Sequence, residues 1–289
     1  MAKIIDGKAV AASVKAEVAE KVSLLKEKGI SAGLAVIIVG EDPASKIYVR
    51  NKKLACEACG IHSAEYALPE TTTESELIDL VHELNNDDKI NGILVQMPLP
   101  KGIDSHKVIA AIAPEKDVDA FTHVSVGRIM VGDYSFLPCT PAGIVELINS
   151  TGTEIAGKNC VVIGRSNIVG KPMAMLLINK QATVTVCNSK TKNMKEICLG
   201  ADILISAAGH TNVVTADMVK PGAVVIDVGM NRDENGKLCG DVAYDEVSKI
   251  ASYITPVPGG VGPMTIAMLM KNTLRAVLLQ NDLLEKEDL

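Results

Sequence analysis

The chain has no tryptophan, 2 phenylalanines and 5 tyrosines, so it lacks the aromatic platforms on which nucleic-acid bases stack. It also lacks a cationic excess. Lysine plus arginine is 29 against 35 aspartates and glutamates, a formal charge of -6, which argues against a dedicated binder of phosphate backbones. No stretch reaches roughly 18 uninterrupted apolar residues, so no membrane-spanning helix is expected. The first ten residues, MAKIIDGKAV, have neither a long apolar core nor a cleavage-site pattern, so no secretory signal is expected and localisation defaults to the cytoplasm. The 5 histidines are scattered. His82-Glu83 is not followed by a second histidine at metal-ligand spacing, no nucleophile elbow or Walker loop occurs, and no metal is expected.

What is present is an ordinary globular balance, 47% hydrophobic and 22% charged, over 289 residues. At roughly 150 residues per domain, this length predicts about two domains, large enough to need no disulfide or metal staple. Seven cysteines, at 56, 59, 139, 160, 187, 198 and 239, form an odd and dispersed set, read as reduced thiols of a cytoplasmic protein. Cys56 and Cys59 have redox-motif spacing, but no strand precedes them, so they read as buried helix residues.

The apolar pattern predicts an α/β protein of two domains with mostly parallel sheets. Val10, Val14, Val18, Val22 and Leu25 recur at helical spacing before Gly29. Continuous apolar runs at 34–39 and 92–97 read as strands buried on both faces, with helices at 45–59 and 74–84. Pro98-Leu99-Pro100 ends the second strand. After an irregular stretch from Pro114 to about Pro141, a second series begins. It has strands at 160–163, 182–187, 202–206 and 223–228, a helix at 168–179, a hairpin signal at Asn235-Gly236 and a final helix from Pro263. The expected domains are therefore 1–120, rejoined by a C-terminal helix over 264–289, and a Rossmann-like domain over 140–263.

In such sheets ligands bind beyond the carboxyl ends of the strands. Gly164 to Pro172 follows a strand and opens a helix, the arrangement that presents N–H groups and a helix dipole to a phosphate; the bland reading is a tight βα turn. The next strand ends Val186-Cys187-Asn188-Ser189-Lys190 without the acid that binds an NAD ribose, and Arg165 stands in the loop, so NADP is favoured over NAD. Tyr48 and Lys52 are four apart on a predicted helix and share a face: an acid/base pair, or an ordinary surface pair. Gln96 is the one amide in the run Ile93 to Met97, and it must hydrogen-bond either the backbone or a ligand. Asp119 follows Asp117 in a loop, where paired acids often cap or face solvent. Pro256 to Pro263 is a rigid glycine-rich turn that lets a ligand approach closely or simply connects.

Taken together and in this order, the stretches Pro43 to Val49 with Lys52, Gly92 to Pro100, Lys116 to Asp119, Pro138 to Pro141, Gly164 to Pro172 and Pro256 to Thr265 resemble the bifunctional methylenetetrahydrofolate dehydrogenase/cyclohydrolase family, over essentially the whole chain. The resemblance implies a catalytic N-terminal domain, a Rossmann-like NADP domain, a folate held in the cleft between them, and a homodimer. It implies Lys52 as general acid/base, Tyr48 orienting the folate, Gln96 setting the lysine's protonation and Asp119 anchoring the pterin. Pro98, Leu99, Pro258, Gly259 and Gly260 would line the folate site. Gly164, Arg165, Ser166, Ser189 and the backbone at Met230 would hold NADP. Two positions depart from the resembled pattern. Ala120 stands where glycine is usual, which matters if the backbone there needs a positive φ. Asn188 stands where histidine is frequent, which bears on the 2′-phosphate. Short-chain dehydrogenases also pair Y-x-x-x-K with a Rossmann sheet, but there the glycine loop comes first. A non-catalytic folate binder or a monofunctional relative are the other readings, and the presence of Tyr48, Lys52 and Gln96 together argues against the former.

Overall fold

The computed structural model describes residues 1–284. Along the chain run β1 (Lys3–Ile4), α1 (Gly7–Glu27), β2 (Gly33–Val39), α2 (Pro43–Cys59), β3 (His62–Leu68), α3 (Glu74–Asn85) and β4 (Gly92–Val95). Then come α4 (Ser105–Ala110), α5 (His123–Val131), α6 (Cys139–Asn149), β5 (Asn159–Ile163), α7 (Gly170–Asn179), β6 (Thr183–Cys187), α8 (Met194–Leu199) and β7 (Ile203–Ser206). The series ends with β8 (Val224–Asp227), β9 (Asn231–Arg232), β10 (Leu238–Cys239), α9 (Tyr244–Val247), β11 (Tyr253–Ile254) and α10 (Val261–Gln280).

The chain divides into two compact units. One comprises Ala12–Cys139 with the chain from Ile266 onward, the other Met1–Ala11 with Thr140–Thr265. The divisions fall within α1, before Thr140 and within α10. The first eleven residues group apart from the rest of the expected 1–120 domain: β1 pairs in parallel with β11, so they complete the other unit's sheet. The C-terminal helix also differs from expectation. It starts at Val261 and stops at Gln280, and the end of the expected helix, 285–289, lies outside the described residues.

In the unit of residues 12–139, a parallel sheet runs β3-β2-β4. All seven residues of β2 and all four of β4 are buried, which is why they read as unbroken apolar runs. β3 is an edge strand with His62, Glu65 and Ala67 exposed and its other residues half-buried. Leu77, Val81 and Leu84 of α3 pack against Ala35, Ile37, Ile93 and Val95 of the sheet. Truncating one such leucine to alanine costs about 2–5 kcal/mol. Asp42 caps α2 by accepting from the Ser45 N–H at 2.7 Å, Pro43 occupies the first turn, and Gly60 ends the helix at φ 71°.

The other unit holds a six-stranded sheet of order β1-β11-β8-β7-β5-β6, and every pair in it is parallel. After β6 the chain returns to the opposite side of β5, so the order reverses at β5 and opens a switch-point crevice at its carboxyl end. The Asn235-Gly236 signal is realised as the turn of the β9–β10 hairpin, with Gly236 at φ 77°.

Candidate active site

In the first unit, β2 lies between β3 and β4, so its own switch point is at the carboxyl ends of β2 and β4. α2 leaves the end of β2, and Gln96 leaves the end of β4. Gln96 lies one residue past the strand rather than inside it, and its N–H donates to the Ile37 carbonyl at 2.8 Å. Lys52 is 8% exposed, and its Nζ donates to Gln96 Oε1 at 2.9 Å. The other end of that amide is fixed too, Nε2 donating to the Met97 carbonyl at 2.7 Å. Burial holds the Lys52 ammonium below the ordinary lysine range, and the negative charge of Asp119 pushes back. Tyr48 sits one helical turn before Lys52, half-buried, and burial raises its phenol.

The Lys116-Asp117-Val118-Asp119 segment splits its two acids between different tasks. An isolated parallel bridge pairs Asp117 with Ile93, setting this segment beside β4. Asp117 is 1% exposed, and its carboxylate accepts from the N–H groups of Phe121 and Thr122 and the hydroxyl of Ser125. It is a structural cap. Lys116 is equally architectural, its Nζ donating to the carbonyls of Leu84 and Asp87. Asp119 is half-buried and, among the described residues, caps no backbone N–H. Its partner is the Cys139 thiol, which donates to Oδ1 at 3.5 Å. Burial raises the Asp119 carboxyl, opposed by the Lys52 charge. Asp119 also borders a small cavity lined by Ile93, Met97, Ile112 and Phe121. Ala120 does adopt a positive φ, 57°, so the departure noted at that position falls on backbone that favours glycine.

Cys139 and Asn272 were not singled out as site residues from the sequence. Asn272 on α10 is 5% exposed, and its Nδ2 donates to the carbonyls of Val118 at 2.7 Å and Leu137 at 2.8 Å, with Cys139 Sγ at 3.7 Å. No local signal marks Asn272, which lies between Lys271 and Thr273 in the sequence rather than in an apolar run. The Cys56 and Cys59 thiols are buried and unpaired on α2, as expected for helix residues, and burial pushes Cys56 up to about 12. Pro98 is exposed and Leu99 half-buried just after Gln96, and the Met97–Pro98 bond is cis.

In the second unit, Gly164 ends β5 with φ 128°, and a Cβ there would overlap the Ala207 carbonyl. This is the close turn expected of a dinucleotide-binding strand–helix junction. Helix α7 starts at Gly170, two residues later than expected, because the Ser166 hydroxyl accepts from the N–H groups of Val169 and Gly170. Part of the expected N–H cradle is therefore used internally. The backbone N–H groups of 165–168 have no backbone acceptor among the described residues, and Arg165 is exposed beside them. This donor set fits an anionic dinucleotide. Ser189 is exposed just past β6, where Asn188 builds the turn, donating from N to Thr191 Oγ1 and accepting from Lys190 N–H at Oδ1. Met230 is 54% exposed after β8. Pro258, Gly259 (φ 107°) and Gly260 form the turn before α10, with Val257–Pro258 cis. Tyr48, Lys52, Gln96 and Asp119 thus gather in one unit, and Gly164, Arg165, Ser166, Ser189, Met230 and Pro258 to Gly260 lie in the other.

Comparison with known proteins matches both units. Residues 5–119 match the family model of the tetrahydrofolate dehydrogenase/cyclohydrolase catalytic domain, and residues 138–281 match that of its NAD(P)-binding domain. The bifunctional protein FolD of Ruminiclostridium cellulolyticum is 61% identical, covering 98% of this chain and 99% of its own. The crystal structure of the bifunctional FolD methylenetetrahydrofolate dehydrogenase/cyclohydrolase of Campylobacter jejuni superposes with a TM-score of 0.95 at 50% identity, over 97% of this chain and 100% of that one. The Trypanosoma brucei enzyme, complexed with NADP cofactor and an inhibitor, gives 0.92 at 42% identity, over 97% and 98% of the two chains. With both family models matched and a relative 61% identical over nearly its whole length, the chain belongs to the tetrahydrofolate dehydrogenase/cyclohydrolase family.

Proposed function

We propose that the chain is a bifunctional one-carbon folate enzyme. It oxidises 5,10-methylenetetrahydrofolate to 5,10-methenyltetrahydrofolate with NADP+ and hydrolyses the methenyl form to 10-formyltetrahydrofolate. The observation that carries the catalytic reading is Lys52, 8% exposed and tied through Nζ to Gln96 Oε1 at 2.9 Å.

When bound, NADP+ supplies the acceptor for the hydride that leaves the methylene carbon. For that step the chain's task is positioning. Asp119 accepts hydrogen bonds from the planar donors of the pterin. Tyr48 orients the folate, and Pro98 and Leu99 line its site. Gly164, Ser166, Ser189 and the backbone at Met230 hold the dinucleotide, and Arg165 pairs with its 2′-phosphate.

Hydrolysis adds water to the methenyl carbon, breaks one carbon–nitrogen bond and releases one proton overall. The attacking water gives up both its protons: one ends on the departing nitrogen, and the other is released. Lys52 performs both transfers, and burial brings its pKa down toward the working pH where such transfers are efficient. Gln96 fixes where Nζ points. The protein acts in the cytoplasm as a homodimer; a monomer in sedimentation at assay concentration would refute the dimer.

The test is a spectrophotometric assay of methylenetetrahydrofolate oxidation with NADP+ and with NAD+, beside one following loss of methenyltetrahydrofolate absorbance. Turnover in both, with NADP+ preferred, is expected. Preference for NAD+ overturns the role of Arg165. Folate binding without turnover overturns the catalytic reading.

A further inference from the structure

Two buried carboxylates in the second unit have no part in the chemistry above. Asp227 ends β8 and is 3% exposed; Asp241 follows β10 and is fully buried. Among the described residues neither closes an ion pair, and all their partners are neutral donors. Asp241 Oδ2 accepts from Ser206 Oγ at 3.0 Å, Ala208 N–H at 2.7 Å and Gly209 N–H at 3.2 Å, while Oδ1 accepts from Asn231 Nδ2 at 2.9 Å. Asp227 Oδ1 accepts from the N–H groups of Gly229 and Asp241 at 2.9 Å each, and Oδ2 from Val242 N–H at 3.0 Å. A Cβ on Gly229 would overlap the Asp241 carboxylate, and one on Gly240 the Asp227 carboxylate, so acids and glycines fit as pairs.

The segments so bound are those leaving the carboxyl ends of β7 (207–209) and β8 (228–231). Ligands of such sheets bind there, and Met230 lies on the second. A fold needing only stability at this point would be better served by apolar packing than by two adjacent buried acids. We propose that Asp241, supported by Asp227, is a positioning residue for the dinucleotide: it locks the two strand-end segments into the one arrangement that binds NADP+. This inference rests on the proposed NADP site. It requires a carboxylate specifically, because an amide cannot accept at both ends.

The experiment measures NADP+ affinity by calorimetry, with dehydrogenase and cyclohydrolase rates, for wild type, Asp241→Asn and Asn231→Ala. The last removes the Asn231 side-chain bonds to Asp241 Oδ1 and to the Gly240 carbonyl and leaves the carboxylate in place, so it covers the case in which Asp241→Asn does not fold. The expected result is a Kd and KM for NADP+ raised about tenfold or more in Asp241→Asn and about threefold in Asn231→Ala. Dehydrogenase activity falls relative to cyclohydrolase in both. Cofactor affinity equal to wild type in the folded variants overturns the proposal and makes the cluster a simple staple, as does an equal loss of both activities with unchanged Kd. Wild-type protein that binds no NADP+ at all overturns the functional reading beneath it, a result readable before any variant is made.

Discussion

The Lys52 cluster of the first unit and the paired carboxylates of the second handle buried charge in opposite ways. In the second, Asp227 and Asp241 are wrapped in neutral donors and hold loops in place. In the first, Lys52 is nearly as buried but among the described residues makes one side-chain hydrogen bond, to an amide oxygen, although an ammonium has three donors. Lys116, a few residues from Asp119 in the same unit, confirms that the difference is not residue type: it is equally buried and satisfied by two carbonyls. A group that is fully bonded builds the structure; one left short of partners, with its pKa displaced, is available for proton transfer.

The sharpest test of that contrast is Lys52→Ala. It should abolish measurable cyclohydrolase, a loss of about 10²–10⁴-fold for a removed acid/base group, and sharply reduce dehydrogenase turnover. Lys116→Ala should instead lower stability and spare the chemistry of the folded fraction. Near-normal hydrolysis of methenyltetrahydrofolate by the Lys52 variant breaks the comparison.

The carboxylate side is tested through pH. Burial raises Asp227 from 3.8 to about 6, and its hydrogen bonds offset only part of that rise. A folded pKa above the unfolded one means that the folded state holds the proton more tightly. The stabilising contribution of the neutral acid is thus complete below about pH 4 and is lost as pH rises through 6, by about 3 kcal/mol at most. Asp227→Asn mimics the neutral acid at every pH. Its unfolding free energy, relative to wild type, should therefore climb between pH 4 and 7. A flat difference would mean that the charged carboxylate costs the fold nothing.

Arg165→Ala probes the exposed charge of the second unit. Removing one charge-assisted pair, about 1.5–3 kcal/mol, should cut the NADP+ over NAD+ preference about 10–100-fold while leaving kcat/KM for NAD+ nearly unchanged. Equal losses with both cofactors would place Arg165 elsewhere than on the 2′-phosphate.

How much of this could be read from the sequence follows the range of the interactions. β2, β4, β5, β7 and β8 are buried on both faces and stand out as apolar runs. β3 does not, because its edge position leaves His62 and Glu65 in solvent. β1 and β11, two residues each, exist only because each has a partner some 250 residues away or across the sheet. Helical spacing put Tyr48 and Lys52 on one face and an apolar run marked Gln96, but spacing alone left surface and backbone roles open, and it was the family resemblance that joined them. The division of labour between Asp117 and Asp119 was not readable, since nothing local distinguishes a capping acid from a free one. Nor was Asn272, whose bond to the Val118 carbonyl spans 154 positions.

The smallest predicted effect concerns Ala120, next to Asp119. At φ 57° it occupies backbone that costs an L-residue about 1–2 kcal/mol. Glycine removes that strain but loses about 0.5–1 kcal/mol to the greater freedom of its unfolded chain. Ala120 is fully buried, so its methyl also gives back a little packing. The balance for Ala120→Gly is a gain of about 0.5 kcal/mol in denaturant unfolding. KM for folate should not change, because the turn is already held by the Asp117 cap and by the Ala120 N–H donating to the Asp117 carbonyl at 3.0 Å. A destabilised variant would mean that the methyl's packing outweighs the backbone strain. A shifted folate KM with unchanged stability would mean that this strain helps to aim Asp119, which would extend to the first unit the positioning logic argued for the second.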